Sequence, residues 1–234
     1  MIRIVAWLLW FATGRVVVGL AKTALLLAAV GVCCSHCVGP ARAESVTPSL
    51  ICRVQSAIKH RSPAWSEQRC VDVSAAIADT ARPRTTLAMA IWESDLRPDV
   101  AVEARPGVFD AGLLGVRCVL YPGTGVTARG YGPRSAAAGR CQNGPARGYT
   151  LEQLKDPVIN VRVAAEIMAE KRARHGQGWL RAYNGATTEN GYGENIRVIA
   201  AALAGVRLPS KSARARKLIA QILAAVAPRI ARAR

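Results

Sequence analysis

Apolar residues recur along the chain at the spacing of one helix face, which predicts a mostly α fold. The first such stripe lies between residues 49 and 60, where apolar side chains return after three or four positions. Its members are Leu50, Ile51, Val54 and Ile58. The same reasoning predicts helices over residues 71–81 and 84–95, the latter with Thr85 or Thr86 near its start.

Capping signals predict where two later helices begin. Thr150 is followed three residues on by Gln153, which is the spacing of a capping box. Asp156 precedes Pro157, a residue that suits a first helical turn. We expect this second helix to run to Gly176. Its predicted inner face comprises Val161, Ala164, Ala165, Ile167 and Met168.

Residues 97–149 separate these two helical halves and show no convincing alternation of apolar and polar positions. They are rich in Gly, Pro and Arg, so we expect a long irregular loop region, a feature that is usually functional in a compact domain. Beyond it, "GWLRAYNGA" and "YGENIRVIAAALAG" predict two more helices, the last closed by Gly205. Together these elements predict a single globular domain over residues 44–205.

The first 43 residues have the composition of a leader. They contain no acid, carry apolar runs at 4–12 and 16–34, and end in Ala-Arg-Ala. This pattern is typical of a signal peptide cleaved after Ala43, and it predicts a periplasmic or secreted protein. The run 16–34 also has the length of a bilayer span, so an uncleaved anchor is the alternative. Lys22 within that run favours cleavage.

Cleavage would leave four of the seven cysteines in the mature chain. These are Cys52, Cys70, Cys118 and Cys141. An even number in an exported protein indicates disulfides, and we expect each cysteine to pair with its nearest neighbour in sequence, the second pair tying down the loop region. A zinc site is the alternative, but the mature chain has no Cys-x-x-Cys pair and only His60 and His175.

The chain is strongly basic, with 32 Lys and Arg against 15 Asp and Glu and a net charge of +17. Four of these bases lie in the leader, so cleavage leaves +13. Such a charge favours an anionic partner, for example a cell-wall polymer or an anionic membrane surface, although a solvated arginine-rich surface would look the same. The 12 aromatic residues form no stripe interleaved with bases, so no nucleic acid is expected as a partner.

Residues 206–234 form a basic amphipathic C-terminal tail, predicted to be helical. Its apolar side comprises Leu218, Ile219, Ile222, Leu223 and Val226. Such a segment suits contact with the membrane or envelope, packing on the domain, or binding to a partner.

Glu93 follows the apolar run of "LAMAIWESDLRP", residues 87–98. Burial raises the pKa of a carboxyl group, and a carboxylic acid that keeps its proton can donate it to a leaving oxygen and then act as a base. This is the logic of glycoside cleavage. A glutamate in a last helical turn is also commonly a surface residue, so Glu93 alone does not assign the chemistry.

Further motifs follow Glu93 in a fixed order. They are Ser94 and Pro98, "GLLG" at 112–115, "LKDPVINVRVAAEIMAEK" at 154–171, "AYNG" at 182–185 and Tyr192 of "YGENI". This ordered set, over residues 83–205, resembles the lytic transglycosylases of the soluble-transglycosylase type, which are related to goose-type lysozymes. The resemblance implies a lysozyme-like fold.

The resemblance also implies a reaction. Glu93 would be the single acid and base that cleaves the β-1,4 bond between N-acetylmuramic acid and N-acetylglucosamine in peptidoglycan, leaving a 1,6-anhydro end. Residues implied to contact the substrate are Ser94, Gly112, Leu113, Tyr183, Asn184 and Tyr192. Tyr192 would also lie near Glu93, whereas Asp156, Pro157 and Asn160 would be structural. We expect a monomer without a metal or organic cofactor.

The chain departs from the family at three points. Leu114 and Gly115 stand where the family usually has methionine or phenylalanine followed by glutamine. Val102 and Glu103 stand where it often has a serine, and "EARPGVFD" lengthens the segment between Glu93 and "GLLG". These changes leave the acid in place but alter the expected substrate contacts.

Three other functions are compatible with the sequence. The first is a lysozyme-like hydrolase, in which Glu103 or Asp110 would serve as a second carboxylate. The second is a non-catalytic peptidoglycan-binding module of an envelope-spanning machine, which the altered motifs suggest. The third, ranked last, is a basic nucleic-acid binder.

Overall fold

The structure is a computed structural model, and it describes residues 45–58, 63–120, 126–127, 130–131, 139–185 and 191–230. The predicted signal peptide lies outside the described residues. Within them, two 3₁₀ turns at Gly144–Ala146 and Gly176–Gly178 accompany eight α-helices. These helices are α1 (Pro48–Ile58), α2 (Glu67–Ala78), α3 (Pro83–Ser94), α4 (Leu151–Lys155), α5 (Pro157–His175), α6 (Trp179–Tyr183), α7 (Tyr192–Leu203) and α8 (Ala213–Ile230).

The mostly helical class is confirmed, and so are several local signals. The capping box of Thr150 and Gln153 is formed in both directions, and the Asp156 carboxylate caps α5 by accepting the Val158 and Ile159 amides. Helix α2 begins four residues before its predicted start. The reason is that the Ser66 side chain accepts the Arg69 amide and so caps the helix earlier.

The prediction of an irregular region at 97–149 is wrong, because a small sheet lies within it. Strands β1 (Ala101–Arg105), β2 (Val108–Ala111) and β3 (Val116–Val119) form an antiparallel sheet in the order β1-β2-β3, and β4 (Val126–Thr127) pairs with β5 (Gly130–Tyr131). Strand β1 is exposed along its whole length, so it carries no apolar alternation. The other strands are too short for a period of two to be recognised.

Helix α3 is the centre of the core. Its residues 86–91 are all fully buried, and it packs against α2 and α7. A helix buried on every side shows no amphipathic stripe, which explains why "LAMAIW" reads as a continuous apolar run. The helix therefore fixes whatever its last turn carries.

Helix α8 packs on the rest of the domain through its apolar side. Leu218, Ile219, Ile222 and Val226 are buried against α1 and α7, and Arg53 of α1 donates to the Ala225 carbonyl at 3.0 Å. The apolar face of α8, for which membrane contact was one expectation, therefore packs against the domain itself. The basic face of the helix is exposed. Among the described helices, none has the length and hydropathy needed to cross a bilayer.

Both predicted disulfides are confirmed. Cys52 of α1 pairs with Cys70 of α2, and Cys118 of β3 pairs with Cys141. The second bridge attaches the segment that leads into the Gly144–Ala146 turn to the small sheet. The two bridges thus stabilise different parts of the molecule.

Candidate active site

Glu93 lies in the last turn of α3, directly before the chain reverses direction. Asp95 and Leu96 both adopt left-handed backbone conformations, with φ of 53° and 57°, and the Asp95 amide still donates to the Ile91 carbonyl. Leu96 is fully buried, which anchors the turn. The helix therefore ends abruptly, and the Glu93 side chain lies at its C-terminal end.

Ser94 attaches the segment 112–115 to this helix. Its hydroxyl lies 2.9 Å from the Leu113 carbonyl and 3.0 Å from the Ala90 carbonyl, and its side chain is buried. Successive helix residues are separated by about 100° around the axis. Glu93 and Ser94 accordingly project in different directions, one toward the cavity and the other into the protein.

Asn160 holds the same segment from the opposite side. Its Oδ1 accepts the Leu114 amide at 2.8 Å, and its Nδ2 donates to the carbonyls of Ala111 and Leu154. Asn160 is fully buried, so each bond compensates a group that has no access to water. The structural role expected for Asn160 is thus visible in its contacts.

Gly112 permits the close approach of Asn160. Its φ is +75°, and a Cβ at this position would overlap the Asn160 amide nitrogen and the Leu154 carbonyl oxygen. No side chain fits there. Gly112 is therefore part of the support beneath the cavity.

Gly115 lies directly against the catalytic candidate. Its φ is +58°, and a Cβ at this position would lie 3.4 Å from Oε2 of Glu93. Glycine at this position thus leaves the space beside this oxygen free of a side chain. Leu114, the preceding residue, is held by its carbonyl, which accepts the Tyr183 hydroxyl at 2.8 Å.

Tyr192 contacts the other carboxylate oxygen. Its hydroxyl donates to Oε1 of Glu93 at 2.6 Å, and the residue is buried at the start of α7. Burial is the main cause that raises the pKa of Tyr192, and the Glu93 charge raises it further. Tyr192 therefore keeps its proton and remains a donor.

The pKa of Glu93 is raised above its ordinary value. Burial is the largest cause, and the nearby negative charge of Asp110 adds to it. The Tyr192 hydrogen bond and the positive charge of Arg214 oppose the shift by stabilising the carboxylate. The net result is a carboxyl group that holds its proton to a higher pH than an exposed glutamate does.

A cavity of about 310 Å³ opens beside Glu93. One wall carries Asp110, Gly115 and Arg117 of the sheet region, and the opposite walls are formed by α5, by the end of α6 and by the 3₁₀ turn. The lining residues on those walls are Asn143, Gly144, Pro145, Ala146, Ile167, Glu170, Lys171, Ala182, Tyr183, Asn184 and Gly185. The cavity therefore offers acidic, basic and amide groups around one carboxyl.

The structure brings some of the sequence-predicted residues together and separates others. Glu93, Tyr183 and Asn184 line the cavity, whereas Tyr192 lies behind the Glu93 carboxylate. The structure does not support the substrate contacts expected of Ser94, Gly112 and Leu113. All three are buried beneath the cavity wall, because the Ser94 hydroxyl and the Leu113 carbonyl contact each other and Gly112 packs against Asn160.

No sequence motif singled out Arg117, and Asp110 was one of two loop acids considered as a second carboxylate. In the structure they lie opposite each other on β2 and β3 and form an ion pair in the cavity. The strand register is the signal that would have paired them. Glu103, the other acid considered, lies on the exposed β1 and accepts the Gly107 amide at 3.2 Å.

Asn143 connects the 3₁₀ turn to β3. Its Oδ1 accepts the Val119 amide at 2.7 Å, and its Nδ2 donates to the Arg117 carbonyl at 2.9 Å. With the Cys118–Cys141 bridge beside them, these bonds hold two cavity walls at a fixed separation.

No group of three or more His, Cys, Asp or Glu side chains within the described residues is arranged to hold a metal ion. Comparisons of the chain with protein-family models, with curated proteins and with solved structures find no match.

Proposed function

We propose that this protein is a peptidoglycan lytic transglycosylase with Glu93 as its single acid and base. The observation that carries the proposal is the asymmetry of the Glu93 carboxyl: Oε1 accepts the Tyr192 hydroxyl, while Oε2 lies beside Gly115 at the edge of the cavity. One oxygen is fixed and the other is accessible. This arrangement suits a group that must donate a proton and later take one back.

In the proposed reaction, Oε2 of Glu93 donates its proton to the glycosidic oxygen as the bond from that oxygen to the anomeric carbon breaks. The N-acetyl oxygen of the muramyl residue stabilises the positive charge at the anomeric carbon. The carboxylate then accepts the proton of the muramyl 6-hydroxyl as its oxygen bonds to the anomeric carbon. Between the two steps, the Tyr192 hydrogen bond stabilises the carboxylate.

The fold and the location of the protein form part of the same proposal. A buried helix that ends in a glutamate beside a small antiparallel sheet supports the lysozyme-like architecture implied by the motifs. The two disulfides support export to an oxidising compartment, because such bonds are rare in the cytosol. Peptidoglycan glycan strands are the proposed substrate, and the exposed basic face of α8 is suited to the anionic envelope.

A lysozyme-like hydrolase is the second candidate, and Asp110 favours it. This carboxylate lines the same cavity as Glu93 and contributes to raising its pKa. Two carboxyl groups flanking one bond are the usual equipment for glycoside hydrolysis.

Digestion of purified peptidoglycan by the mature protein and by Glu93→Gln tests the proposal. We expect soluble fragments with 1,6-anhydro-muramyl ends from the wild-type protein and at least a 100-fold slower release from the variant, in line with the loss of a general acid. Glu166→Gln, an exposed substitution on α5, is the matched control. Equal release by wild-type and Glu93→Gln would overturn Glu93 as the acid and base. No release by either protein would leave only a non-catalytic binding role, and reducing ends would assign hydrolysis.

A further inference from the structure

Two further carboxylates, Asp110 and Glu170, line the cavity with Glu93, and Asp110 is held by an arginine. Asp110 and Arg117 are directly paired across β2 and β3, with Nε to Oδ1 at 2.9 Å and Nη2 to Oδ2 at 3.0 Å. Both carboxylate oxygens are therefore engaged by one guanidinium. Such a two-point contact is stronger and more directional than a single ion pair.

The backbone of Arg117 is fixed by a hydrogen bond from a distant segment and by the disulfide of the next residue. Its carbonyl accepts the Asn143 side chain, and the next residue, Cys118, is buried and bonded to Cys141. Its side chain is exposed to the cavity and to solvent. The hydrogen bond with Asp110 raises the pKa of Arg117 above its ordinary value, so the guanidinium stays charged and paired.

A carboxylate that activates water must accept a proton from that water through one of its oxygens. In this cavity both oxygens of Asp110 already accept from Arg117, and the positive charge offsets the negative one. We propose that Arg117 is a positioning residue: by engaging both oxygens of Asp110, it keeps this carboxylate from accepting a proton from water. The reaction is thereby directed to intramolecular ring closure. The inference rests on the proposed transglycosylase activity and adds what determines its product.

The two outcomes share their first step and differ in the second. After Glu93 protonates the glycosidic oxygen and that bond breaks, ring closure forms a bond between the 6-oxygen and the anomeric carbon, and Glu93 takes the 6-hydroxyl proton. Hydrolysis instead forms a bond between a water oxygen and the anomeric carbon. One water proton then goes to a carboxylate, and the product is a reducing end with one additional water.

Product analysis in water labelled with ¹⁸O tests the inference with four proteins: wild type, Arg117→Ala, Arg117→Lys and the double variant Arg117→Ala/Asp110→Asn. Only hydrolysis places label in the new reducing end. We expect mainly unlabelled anhydro ends from wild type and an increase of about tenfold in the ratio of labelled to anhydro ends for Arg117→Ala, equivalent to a 1.4 kcal/mol change in relative barrier. Arg117→Lys, which offers a point charge in place of a fork, should give an intermediate ratio.

The double variant identifies the group that Arg117 restrains. If Asp110 is the base that becomes available when Arg117 is replaced, the additional replacement of Asp110 by asparagine returns the ratio of labelled to anhydro ends to the wild-type value. A ratio unchanged in both Arg117→Ala and Arg117→Lys overturns the inference, as does a labelled fraction that persists in the double variant. Arg117→Lys keeps this decision available should Arg117→Ala not fold.

Failure of the proposed function gives a different result. In that case wild-type protein releases no Glu93-dependent fragments, or releases labelled reducing ends from the outset, and both proposals fall together. Anhydro ends from wild type with an unaltered ratio in the variants overturn the role of Arg117 alone.

Discussion

The hydroxyl of Tyr192 lies 2.6 Å from Oε1 of Glu93, although 99 residues separate them in the chain. This contact joins the start of α7 to the end of α3, two helices that pack against each other. It gives Glu93 one oxygen with a fixed partner. The other oxygen remains beside Gly115, where the proposed proton transfer takes place.

Removal of the Tyr192 hydroxyl should change the pH dependence of activity. The hydrogen bond stabilises the Glu93 carboxylate and lowers its pKa, so Tyr192→Phe raises that pKa. Because the proposed reaction starts from protonated Glu93, the falling limb of kcat/KM against pH should move to higher pH. Tyr183→Phe removes a hydroxyl that donates to Leu114, and its limb should stay in place. A limb that does not move in Tyr192→Phe would show that the contact does not tune Glu93.

Glu93→Gln should stabilise the protein, and more so at higher pH. The folded-state pKa of Glu93 is raised by burial, so the native state holds more protons than the unfolded chain once pH exceeds the ordinary glutamate value of about 4.3. Stability from this group is therefore present at low pH and is lost as pH rises through the folded pKa. The difference in Tm between Glu93→Gln and wild type should grow from pH 4 to pH 8, measured by circular dichroism. A constant difference would contradict the raised pKa.

Gly112→Ala should be severely destabilising, because its methyl group meets Asn160 and Leu154. Gly191→Ala is the matched control: its φ of 74° is nearly that of Gly112, and no atom of the described residues lies within 4 Å of the added Cβ. We expect a cost of about 1 kcal/mol for Gly191→Ala from backbone strain and roughly 3 kcal/mol or more for Gly112→Ala. Equal costs in urea unfolding would exclude the overlap as the cause.

The two disulfides should differ in their effect on activity. They span similar separations of 18 and 23 residues, so replacing either cysteine pair by alanine should cost about 3 kcal/mol. Of the two bridges, only Cys118–Cys141 lies beside Arg117 and the cavity wall that contains Asn143. Its loss should therefore lower kcat/KM well beyond the loss for Cys52–Cys70 at a temperature where both variants are folded. Equal losses of kcat/KM would show that the Cys118–Cys141 bridge does not position the cavity walls.

Arg214 connects α8 to α3 and should influence Glu93. Its guanidinium stacks 4.6 Å from the centre of the Trp92 ring and pairs with Asp95 at 3.1 Å, and its charge lowers the pKa of Glu93. Arg214→Ala should move the falling limb of kcat/KM to higher pH and reduce stability by about 1 kcal/mol. Arg216→Ala removes the same charge from a side chain that bonds the Ser210 and Lys211 carbonyls, and the limb should not move.

Local signals in the sequence were sufficient to predict the main helices and the caps of α4 and α5, but not the Ser66 cap of α2. A capping box or an Asp-Pro start is formed within four residues, so Thr150 and Asp156 carry their own information about structure. The neighbouring cysteine pairs were also predictable, because each closes a short loop. The strands at 97–149 were missed, since a strand of two to five residues is defined more by its partner strand than by its own side chains.

The amphipathic character of α8 was predictable from the sequence, but the surface that covers its apolar face was not. An apolar stripe of this kind is covered equally well by a membrane, a partner or the chain's own core. Packing against α1 and α7 decided the matter, because those helices present buried apolar surface to it.

The apolar run before Glu93 was enough to predict that this residue lies at the end of a buried helix and that its carboxyl could transfer a proton. The groups that surround the carboxyl became known from the folded structure. Tyr192 and Gly115 meet the two oxygens of Glu93, Ser94 turns away from the cavity, and Asp110 meets Arg117 across two strands. The reason is physical: helix periodicity and caps act over one or two turns, whereas these contacts depend on how separate elements pack and register in space.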